Sequence, residues 1–574
     1  MAGRASVRVV ELRVLEGPNL YFTRPAIKLT LAVPGWLAAN ERRAADLARR
    51  IRLPGQARPG APHSEHRLRF VARVAAHITR SLAAAAGSRI GVRSRPGAEP
   101  DHVVVAYPWR RRAAAEALGR EVADLLGAAL RARRPFRALL RERAARLGRF
   151  DKLGPEPSVP VPHVPVIAVT GTNGKTTTVR LLAHLFASAG RSVAYTSTDG
   201  VYVDGRLVEE GDYSGPSGAE MALAQPGVQV AVLEVARGGI LLKGIGAAQA
   251  DVAVVTNVSA DHLGLHGIVT LDQLAEVKAT ITRIVPPEGW SVLNADDPRV
   301  LGMRRTAGGR PFLFSMDPDH PALRSAVAEG GLGIAPIDGR LALLRPGPSF
   351  LPLVPLEDIP VTLAGISTAH VQNAMAAAAA ALGAGLPRED VVRGLRSFVL
   401  DPERNPGRAN LFEDGGRVVV IDYAHNEAGM QGLVEICHGL RAPGAEVWIA
   451  FGSAGDRSDE IMHTVGYRAA RGADRVAVVE LHRYLRGRDP EEVVDRLRAG
   501  AVDGGASEVP DFPTEVAGLE WMLGHARPGD VVAITALSQR PELFDLLRRR
   551  GATGIDPARC RELVRRARGA AAGH

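Results

Sequence analysis

The sequence predicts an α/β protein, a P-loop-type doubly wound parallel sheet with a smaller Rossmann-like unit after it and a small α+β unit before it. Three observations carry this. From residue 165, apolar β-branched runs alternate with helical stretches. One run leads into a glycine loop, "GTNGKT" at 171–176, that opens a helical pattern. Beyond 408 a second series of alternating runs begins.

Taken in order, residues 1–150 start with the alternating runs "VRVVELRVL" and "AIKLTLAV", then a Pro/Gly/Arg loop at 53–62. Helices are expected near 66–86 and 111–132, flanking the strand "HVVVAY". The proline-rich stretch 151–165 reads as a linker. A central unit is expected over 160–402. Its runs "VPVIAVT", "SVAYTST", "VQVAVLEV", "DVAVVTNV" and "WSVLN" are apolar throughout, as parallel strands covered on both faces must be. A break at "LDPERNPGR", 400–408, precedes the unit expected over 403–574, with strands "RVVVIDYA", "AEVWIAFG", "DRVAVVEL" and "DVVAITA".

Bulk properties narrow the function. The chain has 574 residues, a formal charge of +10 and a pI near 10.0. Arginine runs such as 110–112 and 548–550 have no interleaved aromatics, so they read as solvated surface and no nucleic-acid partner is expected. An anionic small substrate suits the same charge. Two cysteines, Cys437 and Cys560, without metal-ligand spacing suit a reducing compartment. The N-terminal residues lack the uninterrupted apolar core of a signal peptide, and "AMAAAAAALGAGL" at 374–386 is too short to span a bilayer. A soluble cytoplasmic protein without a membrane partner is expected, and a homo-oligomer stays open.

Ligands of open α/β sheets gather outside the carboxyl ends of the strands. The first central strand ends in Gly171, Thr172, Asn173 and Gly174, whose backbone amides and following helix can hold phosphate. Lys175 can reach terminal phosphates and the Thr176 hydroxyl can ligate Mg²⁺, with Thr177 next in the loop. Another strand ends at Glu234, where a buried carboxylate calls for a cation. A third ends in "TNVSADHLG", bringing Asn257, Asp261 and His262 beside the phosphate site, with His262 a metal-ligand candidate. Lys278 sits on the helical stretch "LDQLAEVKATITRI" and, taken alone, reads as a surface lysine.

With "LEVARGG", "HVQNAMAA", "NPGRANLF" and "DYAHN" added in that order, the chain resembles the Mur ligases over about residues 160–560. "TDGVYVDGRLVEEGDYSGPSGAE", "ARGGIL" and "GSAGDRSDE" are similar to the Mur-type half of the cyanophycin synthetases, and the first block resembles their N-terminal domain more weakly. The ATP-grasp ligase that those enzymes carry between these parts is absent here, so the resemblance implies at most one of their two ligations. It implies an ATP-dependent carboxylate–amine ligase working through an acyl phosphate, with a small-molecule or peptide carboxylate and an amine donor as substrates. Lys175, His262, Lys278 and Arg408 would be catalytic. Mg²⁺ would sit near Thr176 and Glu234, and a second ion near His262 and Lys278, the lysine being commonly carbamylated in that family. His370 and Asn373 match the adenosine side, Arg408 an arginine reaching the phosphates, and Asp422 the aspartate that holds ribose, with His425 and Asn426 completing its motif. Asp456, Arg457, Arg486 and Arg488 are expected to face incoming substrate. Two other functions compete. One is a cell-wall precursor ligase of the muramyl type. The other is a non-catalytic ATP-binding scaffold that grips a peptide polymer.

Overall fold

The structure, a computed structural model, describes residues 7–55, 58–131, 135–148, 154–261, 263–347 and 349–571. Three sheets organise it. The first is antiparallel, in the order Arg8–Leu15, Ala26–Ala32, His102–Pro108, Arg93–Pro96. Helices Glu65–Ala85 and Arg112–Arg131 pack with it around Trp36, Phe70 and Tyr107, close to the helices the periodicity predicts. Residues 58–62 of the Pro/Gly/Arg loop are folded onto this core by Arg67. Fully buried on the first of those helices, it donates to the carbonyls of Pro59 at 3.0 Å, Gly60 at 2.6 Å and Trp36 at 3.1 Å. A buried cation is tolerable here because carbonyls surround it.

The second sheet has eleven strands. Its parallel centre runs Leu332–Ile337, Arg310–Phe314, Trp290–Asn294, Val252–Val255, Val166–Thr170, Val230–Glu234, Val193–Ser197. The runs read from sequence form five of these seven. Antiparallel strands extend it at both edges, Arg340–Leu344 and Phe350–Pro355 on one side, Gly200–Val203 and Arg206–Glu210 on the other. Arg206–Glu210 is exposed throughout, so no hydrophobic alternation marks it as a strand. The third sheet runs Asp511–Phe512, Arg475–Val479, Val447–Phe451, Val531–Thr535, Arg417–Asp422, Asn410–Asp414, Thr553–Gly554, parallel up to Arg417–Asp422 and antiparallel beyond it.

In the central sheet, Val166–Thr170 lies between Val230–Glu234 and Val252–Val255. Its glycine loop therefore emerges with Glu234 on one side and the 256–261 segment on the other. Helix Lys175–Ser188 follows that loop, and the alanine-rich helix Thr368–Gly383 packs beside it. Ala374 and Ala376–Ala381 are fully buried, and methyl side chains let the helix lie close to the sheet.

Two apolar cores are shared between sheets, while one in the first unit and one beside the third sheet are not. Leu15, Leu20 and Tyr21 of the first unit lie in one apolar cluster with Val166, Ala168 and Leu233 of the second. Another cluster joins Leu181 and Ala377 to Val418 and Leu433 near the third sheet. Cys437 and Cys560 are buried free thiols. No helix among the described residues is long and apolar enough to cross a membrane.

Candidate functional site

The glycine loop is shaped by close approach. A Cβ on Gly171 would lie 1.8 Å from the Thr256 hydroxyl oxygen. Gly174 caps helix Lys175–Ser188 at φ 85°, and its Cβ would lie 2.2 Å from Asn373 Oδ1. Only glycine fits there without displacing a neighbour. Asn257 sets the loop's path: its carbonyl accepts from Thr172 N at 2.9 Å, its Oδ1 accepts from Asn173 N at 2.9 Å, and its Nδ2 donates to Asn173 O at 3.1 Å. The Asn173 side chain exchanges two amide hydrogen bonds, 3.1 and 3.0 Å, with Asn426. Asn426 also caps helix Glu427–Leu440, so the loop is tied to the third sheet's side of the cleft.

Lys175 Nζ donates to Thr172 O at 2.9 Å. Thr176 Oγ1 donates to Glu234 Oε2 at 2.9 Å, while Glu234 Oε1 is buried with no hydrogen-bond partner. Glu234 thus meets the Thr176 hydroxyl. Burial pushes the Glu234 carboxyl above its ordinary range, opposed by the Lys175 charge, the Thr176 hydrogen bond and the Arg408 charge.

Lys278 is no surface lysine. It is 4% exposed and its Nζ donates to Gly171 O at 2.6 Å. The stretch read as one helix ends its α-helical part at Lys278 and continues as a 3₁₀ segment, Ala279–Ile284, a switch typical of helices under local constraint. Burial holds the Lys278 ammonium well below its usual range, reinforced by Lys175 and Arg237 and opposed by Asp261. Asp261, also buried, lies 3.3 Å from Arg457 Nε and 3.5 Å from His425 Nε2. His262 lies outside the described residues. Among the described residues, no group of three or more His, Cys, Asp or Glu side chains gathers as a ready-made metal cage.

On the far side of Gly174, Asn373 Oδ1 accepts from Thr178 Oγ1 at 3.4 Å. His370 is buried with Nδ1 unpartnered, and burial, followed by the Arg408 charge, pushes its imidazolium down to about 4. The Arg408 guanidinium carbon lies 4.0 Å from the Tyr423 ring centre, and its Nε is likewise buried without a hydrogen bond. Asp422 accepts from Ala409 N at 2.8 Å; burial pushes its carboxyl up, opposed by Arg408.

Several contributors were not legible as such. Asp199, two residues beyond strand Val193–Ser197, pairs with the buried Arg180 at 2.7 Å and with Arg540 at 2.8 Å. Its strand-end position was a usable signal; Arg540, far along the chain, offered none. Asn405 sits in the segment read as a break, yet it is fully buried and donates to Thr177 Oγ1 at 3.3 Å. Of the residues expected to face substrate, Arg457 is buried against Asp456 and Asp261. Arg488 is engaged by Asp459, by Glu492 and by the Arg457 carbonyl. Arg486 lies 5.9 Å from the Tyr484 ring.

Residues 169–381 match the model of the Mur ligase middle domain, and residues 407–536 match that of the Mur ligase glutamate ligase domain. Cyanophycin synthetase of Crocosphaera subtropica is 39% identical over 373 residues, 65% of this chain and 42% of that one. Its Synechocystis counterpart is 41% identical over 359 residues, 62% of this chain and 40% of that one. The UDP-N-acetylmuramyl-tripeptide synthetase of Deinococcus radiodurans is 29% identical over 386 residues, 65% of this chain and 73% of that one. The chain therefore spans less than half the length of the cyanophycin synthetases it matches.

Proposed function

The chain belongs to the Mur ligase family, and from that premise we propose that it is an ATP-dependent carboxylate–amine ligase acting on an amino acid or an acidic peptide. The observation that carries the reading is the contact between Thr176 and Glu234 at the end of the glycine loop, with the buried Lys278 bonded to the same loop. A carboxylate oxygen of the acceptor attacks the γ-phosphorus of ATP, and the bond to the β–γ bridging oxygen breaks, leaving ADP and an acyl phosphate. The incoming amine attacks the acyl carbon and phosphate departs, giving an amide. Both partners of the first step are anions, so the site must supply positive charge without reorganising. The loop amides and helix N-terminus cradle the phosphates, Lys175 turns from Thr172 O to them, and Arg408 approaches from the Tyr423 side.

The donor set suits Mg²⁺. Glu234 has a buried oxygen that no protein group satisfies, beside the Thr176 hydroxyl. One carboxylate plus substrate phosphates is this ion's usual protein environment. When bound there, Mg²⁺ offsets phosphate charge and polarises the γ-phosphoryl group. Burial favours the neutral amine of Lys278, the form able to take up CO₂, and the resulting carbamate would offer anionic oxygens toward the loop. Asp422 is suited to ribose hydroxyls, and His370 with Asn373 to the adenosine end.

The net charge of +10 and the two relatives at 39% and 41% identity support an acidic, cyanophycin-like acceptor. A cytoplasmic location would supply the ATP this reading requires. The test is ATP-dependent phosphate release across amino acids, short acidic peptides and UDP-muramyl peptides, with mass spectrometry of products. ADP, phosphate and a new amide that require an acceptor carboxylate are expected. AMP and pyrophosphate would exclude the mechanism. Turnover confined to UDP-muramyl peptides would move the assignment to cell-wall precursors. Tight ATP binding with no amide from any acceptor would leave only a scaffold.

A further inference from the structure

We propose that the loop over residues 16–25 of the first unit is a positioning element of the ligase centre, holding the two segments that carry its charged residues. The inference rests on the assignment of Glu234 and Lys278 to that centre. The first segment, 237–246, begins three residues after Glu234. The loop pairs with it through main chain: Glu16 N and Gly17 N donate to Lys243 O at 2.7 and 3.3 Å, and Ile245 N donates to Pro18 O at 2.7 Å. The approach is so close that a Cβ on Gly17 would lie 1.9 Å from Ile245 O. From the adjoining strand, Arg13 donates to Leu241 O at 3.4 Å.

The second segment is the helix that ends at Lys278 and its 3₁₀ continuation. Arg95 pairs with Glu276, two residues before Lys278, at 3.2 Å, and also reaches the Tyr21 hydroxyl at 3.4 Å. Arg283 donates to Leu20 O at 3.3 Å. The loop is stiff enough to transmit position. Buried Asn19 donates to Gly17 O at 2.9 Å and Arg24 O at 3.0 Å, and its Oδ1 accepts from Tyr21 N at 3.0 Å and Phe22 N at 3.1 Å. Leu20 and Tyr21 then bury themselves in the central core. One loop thus touches both flanks of the centre while making, among the described residues, none of the nucleotide-loop contacts. Its loss should misplace Glu234 and Lys278 and spare ATP binding.

The test uses the full chain with Gly17→Ala. Because the core around Trp36, Phe70 and Tyr107 contains no residue of this loop, a folded protein with a circular dichroism spectrum like wild type is expected. Its kcat should fall about ten- to a hundredfold, as for a misplacement near 1 Å. Half-saturating Mg²⁺ should rise, and the KM for ATP should change less than about twofold. A merely structural role would lower the melting temperature and leave kcat and the Mg²⁺ requirement per folded molecule unmoved, which would overturn the proposal. Should Gly17→Ala not fold, Arg95→Glu takes its place. Its loss of kcat must then be recovered in part by adding Glu276→Arg, and no recovery counts against the brace. If wild type makes no amide with any acceptor, the ligase reading fails and the brace is judged by hydrogen exchange. Faster exchange at 240–246 and 273–284 in Gly17→Ala, with 167–170 unchanged, supports it; uniform protection overturns it.

Discussion

An unsatisfied oxygen on a buried carboxylate, as at Glu234, costs free energy in the free protein and is therefore a place where a bound cation returns stability. ADP with Mg²⁺ should raise the melting temperature of wild type more than ADP with EDTA, and Glu234→Gln should erase that difference. Lys175 contributes to charge and not to the core. Lys175→Ala should remain folded and lose nearly all ATP turnover, by several kcal/mol of transition-state stabilisation on the scale of one preorganised donor (~3 kcal/mol). Lys278→Ala should lose most ligase activity and still bind ATP, and bicarbonate or a short-chain carboxylate should restore part of the rate by placing oxygens where the lysine was. Unchanged turnover in Lys278→Ala would remove the carbamate from the mechanism. His370 makes a stability prediction of its own. Its folded-state pKa of about 4 lies below the ordinary imidazole value of 6.5, so the unfolded chain binds the extra proton between those values. Stability from this group is full above pH 6.5 and declines as pH falls toward 4, by up to about 3 kcal/mol. Urea denaturation at pH 7 and pH 4.5 should show a smaller pH effect in His370→Gln than in wild type.

At the scale of helices and strands, what could be read from sequence followed burial symmetry. Strands covered on both faces, such as Val230–Glu234, announce themselves as apolar runs, and the polar residue that ends each run marks the cleft. Glu234, Asn257 and the glycine loop were legible for that reason. Lys278 was not, because a helix periodicity says which residues share a face and not which face meets a neighbour; only the resemblance pointed to it. Asn405 was masked by its proline-rich surroundings, which read as a break. The edge strand Arg206–Glu210 escaped because it has no buried face at all. Helix Thr368–Gly383 gives a prediction at this scale. Ala377 is fully buried in the core that also contains Leu181. Ala377→Leu should cost about 1–3 kcal/mol in urea denaturation through overpacking. It should also raise the KM for ATP, since the same helix aims His370 and Asn373. A variant with full stability and normal KM would mean that the helix has slack.

Across the whole molecule, Asp199 is the residue through which distant parts meet, Arg180 from the nucleotide-loop helix and Arg540 from the last third of the chain. Asp199→Asn leaves a buried guanidinium short of its counter-charge and should cost about 2 kcal/mol. Arg540→Ala, at a half-exposed site, should cost less than about 1 kcal/mol. Equal losses would contradict the difference in burial. The shared cores carry a further consequence, one of cooperativity. Because Leu15, Leu20 and Tyr21 complete a cluster with Val166 and Leu233, and Leu181 completes another with Val418, the central sheet shares both of its cores with its neighbours, although the first and third units each keep a second core of their own. A calorimetric scan should then show fewer heat-absorption peaks than there are sheets. A truncation that removes residues 1–110 would bare the socket those three side chains fill, and the remaining chain would be prone to aggregate as it is heated.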